Sequence, residues 1–582
     1  MSRLLATFAV MWRLAHPYFF SEDRRAGRVL LAAVVLIELS LVGINVMINR
    51  WQNNFYNALQ ERAWDAFVEQ LIIFSLLAAS YVVLAVYQLY LQQWLLIRWR
   101  TWMTRRYLSH WLDGHNHYRM QLLGDAADNP DQRIAEDIKL FAEKAILIGI
   151  RVLGASVSFV SFVVILWGLS NDAPLQLFGY DIPIPGYLVW AALLYAVVGT
   201  AVTHWIGKPL INLNFMQQRY EADFRFNLVR VRENSEQIAL LKGEAAEDAR
   251  LQDRFSFVIE NWRAIMSRLK RLTLLTASYA QASTVFPFIM VSPAYFAGKV
   301  QLGGLMQTAS AFNSVREALS IFIDVYRELA EWRAVVARLD GFDAAIAQAQ
   351  ASAVAEPAVK VLTRGQGKSI AIADLMVRLP NGEPLVTAED LDIEPGGESV
   401  LVTGPSGAGK STLFRGVAGI WPFGSGAVGI PAGARVMVMP QQPYFSIATL
   451  AAAVSYPDAP GTFDSAQLAE AVTAVGLPRL VERLDQEAHW NRVLSQGEQQ
   501  RLGMARALLQ KPDFLFLDEA TASLDETAEA TLYQLLKTRL AATTLVSIGH
   551  RTALAGFHDR HLALVRETDG SRLREQAMAA AG

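Results

Sequence analysis

The sequence predicts an α-helical membrane domain with six transmembrane spans, followed by an α/β domain. The 582 residues are 52% hydrophobic, with a mean hydropathy of +0.22, whereas soluble chains are roughly 45–50% apolar. The long apolar runs lie between residues 28 and 328. From residue 359 the pattern changes to short β-branched strands, glycine turns and helices, which is typical of an α/β domain.

Charge and cysteine content exclude several classes of protein. The net charge is −2, so the overall electrostatics predict no polyanionic partner, and we expect no nucleic-acid binding. There are no cysteines, which excludes disulfides, thiolate metal sites and cysteine nucleophiles.

The first 20 residues predict an amphipathic helix at the membrane surface. Apolar positions recur at helical spacing from Leu4 to Phe20, the pattern of a helix lying in the interface; a plain soluble helix is the alternative. Arg13 and His16 interrupt the apolar stretch and no small-residue cleavage site follows, so the segment does not resemble a signal peptide.

Six stretches are long and apolar enough to cross a bilayer, which takes about 20 residues. The sixth contains Arg316, Glu317 and Asp324. Charged residues within a span usually face the bundle interior or a water-filled cavity; alternatively, this span ends early and the three lie in the cytosol. The stretches are 28–49, 67–98, 145–169, 187–206, 272–292 and 304–328.

The distribution of Arg and Lys predicts the topology. Basic residues cluster in the connections 98–120 and 207–271, whereas 170–186 has none. The positive-inside bias therefore places the N-terminus, both basic connections and the α/β domain in the cytoplasm. The connections 50–66, 170–186 and 293–303 are then outside. The predicted domains are 1–342 in the membrane, a linker at 343–358 rich in Ala, Gln and Val, and 359–582.

The stretch SVLVTGPSGAGKSTLFRGVAG, 399–419, predicts a P-loop between a strand and a helix. Its glycines let backbone N–H groups close on phosphate oxygens at a helix N-terminus. Lys410 is placed to reach the β- and γ-phosphates, and Ser411 to ligate Mg²⁺. We therefore expect ATP and Mg²⁺ as cofactors. The expected phosphate-binding residues are Gly404, Pro405, Ser406, Gly407, Ala408, Gly409, Lys410, Ser411 and Thr412.

A second strand, in PDFLFLDEAT at 512–521, ends in two acids. Asp518 suits a Walker-B role of holding Mg²⁺ through water. Glu519 is placed to orient or deprotonate the attacking water. A strand merely capped by two acids is the alternative, but adjacent carboxylates repel each other unless a cation is near.

LSQGEQQRLGMARALL, 494–509, resembles the signature of ABC ATPase domains, commonly LSGGQ, with Gln496 replacing the first glycine. MPQQPY, ASLD at 522–525 and SIGH complete an order of motifs that resembles this domain throughout 359–560. The resemblance implies that ATP lies between two such domains. Residues expected from it to act in the site are Gln441, on Mg²⁺ and water; Ser495, Gln496, Gly497 and Glu498, from the opposite copy; Asp525, coupling the two sites; and His550, on the γ-phosphate.

The ratio of domains implies a dimer. The chain has one membrane domain and one ATPase domain, so it resembles a half-transporter of the exporter-type (type IV) ABC fold that pairs with itself. One departure concerns Leu379, which lies where many ABC domains have an aromatic residue that stacks on adenine. Adenine packing would then be weaker or supplied elsewhere.

Short motifs in the first half resemble a narrower group. NPDQRIAEDI, 129–138, and NSEQIALLKGEAAE, 234–247, are similar to coupling-region motifs of the ABCD-type peroxisomal transporters; solvated helix faces are the alternative. NRWQNNFYNALQ, 49–60, and HPYFFSEDRRAGRVLL, 16–31, resemble SbmA/BacA-type peptide uptake proteins. Bacterial fused forms are implicated in uptake of cobalamin, bleomycin and antimicrobial peptides. The resemblance implies a multi-pass protein of the bacterial inner membrane, with a cytoplasmic ATPase domain.

The amides and aromatics of 49–60 suggest the outer end of a wet cavity for bulky hydrophilic cargo. A helix end anchored by interfacial aromatics is the alternative. Glu38 is either a functional intramembrane acid or a neutral structural one. Two other functions stay open: export of lipid or acyl-CoA-like substrates, and an ATP-gated regulator or channel. The cavity candidates are Glu38, Asn45, Trp51, Asn53, Tyr56 and Arg316.

Overall fold

The computed structural model describes residues 2–124, 129–172, 175–177, 180–182, 184–365, 367–549 and 551–576. The chain forms two compact units. The membrane unit comprises Met1–Arg106 and Asp131–Asp340, and the α/β unit comprises Tyr107–Pro130 and Gly341–Gly582. The α/β unit thus includes part of the connection between the second and third predicted spans.

Helices make up almost all of the described membrane unit. A short 3-10 turn, His16–Phe20, joins the first two helices, and a two-stranded hairpin, β1 (Leu175–Leu177) with β2 (Tyr180–Ile182), follows the fifth. The helices, some of which continue into the α/β unit, are α1 (Ser2–Ala15), α2 (Arg24–Gln60), α3 (Trp64–Leu112), α4 (Asn116–Leu122), α5 (Ile138–Asp172), α6 (Tyr187–Glu233), α7 (Ser235–Leu241), α8 (Glu244–Phe296) and α9 (Leu302–Val354).

All six predicted spans fall within helices. Within the described residues, five helical runs are long and apolar enough to cross a membrane: Arg24–Gln60, Trp64–Leu122, Pro130–Asp172, Tyr187–Glu233 and Glu244–Phe296. The sixth predicted span lies in α9, which is long enough but carries the charged residues noted above.

Two of the predicted outer connections were too long. Residues 50–60 continue α2, and 293–296 continue α8, so only 61–63 and 297–301 connect these helices. The physical reason for the first difference is a set of hydrogen bonds to α9, described below. Residues 343–354 of the predicted linker likewise continue α9.

A buried ion cluster joins the start of α5 to α9. A π-helical turn, Arg133–Asp137, precedes α5. Asp137 is 1% exposed and accepts from Arg338 Nε at 2.9 Å, Arg338 Nη2 at 2.5 Å and Arg133 Nη1 at 2.5 Å. A carboxylate so deeply buried is tolerated because two guanidinium groups surround it.

The α/β unit is built on one twisted sheet with helices on its faces. The described helices are α10 (Lys410–Val417), α11 (Leu450–Ser455), α12 (Ser465–Ala474), α13 (Trp490–Val493), α14 (Gln496–Gln510) and α15 (Glu526–Arg539). The strands are β3 (Lys360–Arg364), β4 (Ile370–Arg378), β5 (Pro384–Ala388), β6 (Leu391–Ile393), β7 (Ser399–Thr403), β8 (Gly424–Pro431), β9 (Val436–Met439), β10 (Ala448–Thr449), β11 (Glu487–Ala488), β12 (Phe514–Asp518), β13 (Thr544–Ile548), β14 (Arg560–Glu567) and β15 (Gly570–Gln576).

The sheet order brings the two predicted phosphate motifs to one edge. The order is β3-β8-β4-β5-β15-β14-β7-β13-β12-β9, with β6 on β4 and a separate β10–β11 pair. Strands β14, β7, β13, β12 and β9 are parallel. Their carboxyl ends therefore meet at the same edge, where ligands bind in open α/β sheets. The sheet is covered on both faces by buried Leu, Val, Ile and Phe side chains.

Candidate nucleotide-binding and cargo sites

The loop after β7 has the backbone that a phosphate cradle requires. Gly407 and Gly409 have φ of +75° and +91°, a region that side chains disfavour. A Cβ on Gly409 would overlap Val386. Lys410 begins α10 and donates from Nζ to the carbonyl oxygens of Gly404 at 2.9 Å and Pro405 at 3.0 Å. The ammonium group therefore already lies over the loop.

Ser411 and Asp518 form the oxygen-rich centre of the site. Ser411 Oγ donates to Asp518 Oδ1 at 2.7 Å. Burial raises the pKa of Asp518, against a lowering by the hydroxyl of Ser411. Burial also lowers the pKa of the Lys410 ammonium, while the nearby carboxylates of Glu519 and Asp518 act in the opposite direction. The charged forms of Asp518 and Lys410 are thus poorly solvated until a ligand of opposite charge binds.

Glu519 has a strained backbone at the end of β12, with φ of +51°. Non-glycine residues rarely adopt this conformation, and it occurs most often at functional sites. The sequence predicted both acids but not this turn.

Gln441 follows β9, the strand that pairs with β12 beside Asp518. It is exposed, and its backbone oxygen accepts from Gln500 Nε2 at 3.0 Å. Gln500 is 1% exposed and its Oε1 also accepts from Ser523 N at 3.0 Å. This one amide connects the Gln441 loop to the ASLD segment. Sequence reasoning missed Gln500; its only signal was its position in the helix after the signature.

The signature residues lie at the N-terminus of α14. Ser495 is the N-cap and forms a capping box with Glu498, which is also paired with Arg479. Ser495 and Gln496 are exposed. A Cβ on Gly497 would lie 3.2 Å from Leu524 Cδ2, so little space is left there. The Ser495 hydroxyl donates to Glu498 Oε2 at 2.8 Å, so the capping box fixes the first turn of α14 while Ser495 and Gln496 stay exposed.

Asp525 caps α15, accepting from Ala528 N at 2.8 Å. Leu379 is half-buried against the sheet core and lies at a hairpin tip. His550 lies outside the described residues; the preceding strand β13 pairs with β12, and Ile548 lies opposite Asp518.

The residues present fit ATP and Mg²⁺. The loop supplies a positive-φ cradle with a lysine, and the first turn of a helix adds its positive dipole end. A hydroxyl and a carboxylate in contact are hard oxygen donors, which Mg²⁺ prefers.

The amides of 49–60 connect α2 to α9. Asn49 is 1% exposed and donates to Gln307 O at 3.0 Å. Asn53 Nδ2 donates to Gln307 Oε1 at 2.6 Å, and Gly303 N donates to Asn57 Oδ1 at 2.8 Å. We call this set the amide zipper. The residues of the amide zipper hold α2 against α9. Asn53 is a predicted cavity residue that belongs to this set.

The remaining cavity candidates are dispersed. Trp51 Nε1 donates to Gln70 O at 2.8 Å, and its ring stacks on Phe55 and Phe74. Tyr56 is half-buried and Asn45 is exposed. Glu38 accepts from Gln88 Nε2 and lies against Gly154 of α5, where a Cβ would overlap it.

Arg316 lies on α9 beside a tyrosine pair that the sequence did not predict. Its side chain is 16% exposed and donates from Nη2 to Glu317 Oε1 at 3.3 Å. Tyr195 and Tyr279 stack at 4.5 Å, and each hydroxyl donates to the backbone oxygen of the other residue. A Cβ on Gly199 would overlap the ring of Tyr279.

The fold and the phosphate cradle define a membrane transporter of the class that carries an ATP-binding cassette on the same chain. Family models agree: "ABC transporter transmembrane region 2" matches residues 14–296, and "ABC transporter" matches 388–522. An uncharacterized ABC transporter ATP-binding protein of Haemophilus influenzae is 33% identical over 95% of this chain and 91% of its own. The chain belongs to the ABC transporter family and is ATP-driven.

Similarity to further relatives indicates that the chain is an ABCD-like transporter. The inner membrane ABC transporter ATP-binding protein YddA of Escherichia coli is 32% identical, over 94% of this chain and 95% of its own. The lysosomal cobalamin transporter ABCD4 of Mus musculus is 25% identical, over 97% and 95%. A bacterial Atm1-family ABC exporter solved with ATP bound has a TM-score of 0.68 at 18% identity, over 94% of each chain. The predicted exporter-type fold is confirmed.

Proposed function

We propose that the chain forms a homodimer in the bacterial inner membrane that moves bulky hydrophilic solutes inward, with its ATPase domain in the cytoplasm. Peptides, cobalamin and bleomycin-like compounds are the proposed cargo. The observation that carries this proposal is a polar face on α9, within the sixth predicted span, 304–328.

Polar side chains occupy one side of α9 and small or apolar ones the other. Glu317 is 70% exposed and lies 15 residues beyond Leu302, about 22 Å along the helix. An exposed carboxylate at that depth is costly in hydrocarbon, so this face borders water. The buried face includes Ala311, Phe312, Val315 and Ala318, and the polar face includes Ser310, Asn313, Ser314, Arg316, Glu317 and Ser320.

A water-filled cavity disfavours the first rival function. Export of lipid or acyl-CoA-like molecules calls for an apolar, lipid-open cavity, whereas peptides and corrinoids need a polar one. The mouse relative named as a lysosomal cobalamin transporter adds support for a corrinoid. A pure regulator or channel has no need of hydrolysis, so the presence of Glu519 and His550 in the sequence argues against the second rival.

The proposed hydrolytic machinery uses the residues at the sheet edge. Bound ATP supplies a phosphoryl group for transfer to water, and Mg²⁺ neutralises charge on its phosphates. Lys410 exchanges its carbonyl partners for phosphate oxygens. Ser411, Asp518 and Gln441 hold the metal and its water. Glu519 accepts the proton of the attacking water, and His550 contacts the γ-phosphate.

The exposed signature suggests that another copy of the chain supplies the second half of the nucleotide site. Ser495 and Gln496 present the N-terminus of α14 to solvent, a position suited to phosphate oxygens held by another copy. Gly497 and Glu498 support that turn, and Asp525 couples the two sites. This arrangement requires the homodimer.

The test is uptake in bacteria that lack their own carriers for the two probes, labelled cobalamin and a labelled proline-rich peptide. Cells would express this chain, its Glu519→Gln variant or Glu526→Gln, an exposed acid in the first turn of α15. We expect uptake with the parent chain and Glu526→Gln. Glu519→Gln should reduce it about 100-fold or more, because a general base contributes roughly 10²–10⁴-fold.

Three results would contradict the proposal in different ways. Equal uptake with Glu519→Gln would indicate passage that hydrolysis does not limit. No uptake of either probe at matched expression would favour lipid export. A loss with Glu526→Gln as large as with Glu519→Gln would show that the effect is not specific to the base.

A further inference from the structure

We infer that Arg316 is a subsite for a carboxylate group of the cargo, which narrows the substrate class to molecules bearing a free carboxylate. The inference rests on the proposed function, since it assumes that the polar face of α9 borders the cargo cavity. Arg316 is the cation of that face, about 21 Å along α9 from Leu302.

The guanidinium group has unused donor capacity. Arg316 Nε is buried and has no hydrogen-bond partner among the described residues. The contact with the adjacent Glu317 is a single bond of 3.3 Å, and the Glu317 side chain is mostly in solvent. An arginine has five donors in a planar fork that matches a carboxylate bidentately. The Arg316 side chain is 16% exposed and makes this one long bond, so its terminal Nη groups are the donors that a cargo carboxylate can reach.

The wall beside the guanidinium is aromatic and rigid. Tyr195 and Tyr279 stack with an interplanar angle of 23°, and Phe286 packs on Tyr195 at 5.0 Å. Both tyrosine hydroxyls donate to backbone oxygens, so they do not compete with Arg316 for a bound anion. Phe312 packs against Tyr195 at 6.1 Å and Phe286 at 5.4 Å between ring centroids. Phe312 lies one turn before Arg316 on α9, so the cluster contacts the face of α9 next to Arg316. A low-dielectric wall strengthens an ion pair formed against it.

Glu317 makes the subsite selective because its carboxylate competes with the cargo carboxylate for the Arg316 guanidinium. A cargo carboxylate must displace the Glu317 carboxylate from the guanidinium. Because that contact is long and solvated, it is weak, whereas a bidentate pair against the aromatic wall is stronger. Removing the competitor should therefore tighten cargo binding, which a purely structural role of the Arg316–Glu317 pair does not predict.

The experiment compares two tritiated, N-acetylated, proline-rich peptides without Asp or Glu. One ends in a carboxylate and the other in a carboxamide. The readout is the half-saturating concentration for stimulation of ATP hydrolysis by the purified full-length protein in lipid nanodiscs. We expect the parent chain to prefer the carboxylate by about ten-fold. In Arg316→Gln the two peptides should become equal, with the maximal rate kept.

Further variants separate binding from folding. Arg316→Lys keeps the charge but not the fork, so about three-fold preference should remain. Glu317→Gln should lower the half-saturating concentration of the carboxylate peptide alone. Arg225→Gln changes an exposed arginine on α6 beyond the predicted span 187–206, and this variant should behave like the parent chain. Thermal midpoints confirm that each variant is folded.

The outcomes separate this inference from the proposed function. Equal half-saturation by both peptides in the parent chain would overturn the inference while leaving peptide transport intact. A carboxylate preference unchanged in Arg316→Gln would overturn it as well. No stimulation by either peptide in the parent chain would exclude peptides as cargo, and with them both the proposed peptide transport and this subsite.

Discussion

Asp518 is a partly buried carboxylate whose protonation affects the stability of the nucleotide-free protein. Burial raises its pKa above the ordinary value, so the nucleotide-free folded protein holds this proton more tightly than the unfolded chain does. The stabilising contribution of the proton is fully present below the ordinary pKa of about 3.9. It is lost as pH rises through the raised value in the folded state.

Asp518→Asn should therefore stabilise the nucleotide-free protein at neutral pH. The amide keeps an acceptor for Ser411 but carries no charge to desolvate. We expect the thermal midpoint of the nucleotide-free variant to exceed that of the parent chain by about 3 °C at pH 7, with the difference vanishing near pH 4. Mg²⁺ and ATP should raise the midpoint of the parent chain but not of the variant. A difference that does not vary with pH would contradict the assignment.

At the residue scale, the sequence predicted that Lys410, Ser411 and Asp518 would lie close together, because β7 and β12 are parallel strands of one sheet, separated by β13, whose carboxyl ends meet at the same edge. The order strand, glycine loop, helix fixes Lys410 and Ser411, and the end of a second buried strand fixes Asp518. Gln500 was not predictable, because its partners Gln441 and Ser523 come from two loops that only the fold brings together. The positive φ of Glu519 likewise has no signal in the sequence.

At the scale of elements, all six predicted spans fall within helices, and five of these helices are long and apolar enough to cross a membrane, but the predicted outer ends were wrong. Residues 50–60 read as a loop because amides are rare inside spans. They are helical because Asn49 and Asn53 find partners on α9, about 250 residues away, as the separations of 258 and 254 positions show. No local pattern displays a contact of that range, so the amide zipper could not be predicted.

Gln307→Ala should destabilise the outer end of the membrane unit. The substitution leaves the buried side-chain oxygen of Asn49 and the donor of Asn53 unpaired, at a cost of about 1–3 kcal/mol. We expect a lower thermal midpoint in detergent and faster proteolysis between α2 and α3. Asn54→Ala is the matched control, because Asn54 is exposed in the same segment and should leave both unchanged. Equal effects of the two substitutions would mean that the zipper contributes nothing specific.

For the whole molecule, one chain carries two segments that we propose bind nucleotide, the P-loop before α10 and the signature at the start of α14. The P-loop follows β7 at the carboxyl edge of the sheet, and the signature begins α14 with Ser495 exposed. If ATP lies between two copies, each site takes its P-loop from one chain and its signature from the other. Sites shared between two chains and sites within one chain therefore predict different behaviour of mixed dimers.

Lys410→Ala damages the P-loop and Ser495→Arg blocks the signature, so each homodimer has no intact site. In a mixed dimer the chain with Ser495→Arg has an undamaged P-loop, which meets the undamaged signature of the Lys410→Ala chain. We expect vanadate trapping of photoreactive ATP to label only the Ser495→Arg chain of purified, doubly tagged mixed dimers, at about one nucleotide per dimer, and to label neither homodimer. Loss of the cap at Ser495 costs only about 1 kcal/mol, so folding should persist, and the thermal midpoint checks this. If each site lay within one chain, both chains of the mixed dimer would carry a damaged site and neither would be labelled.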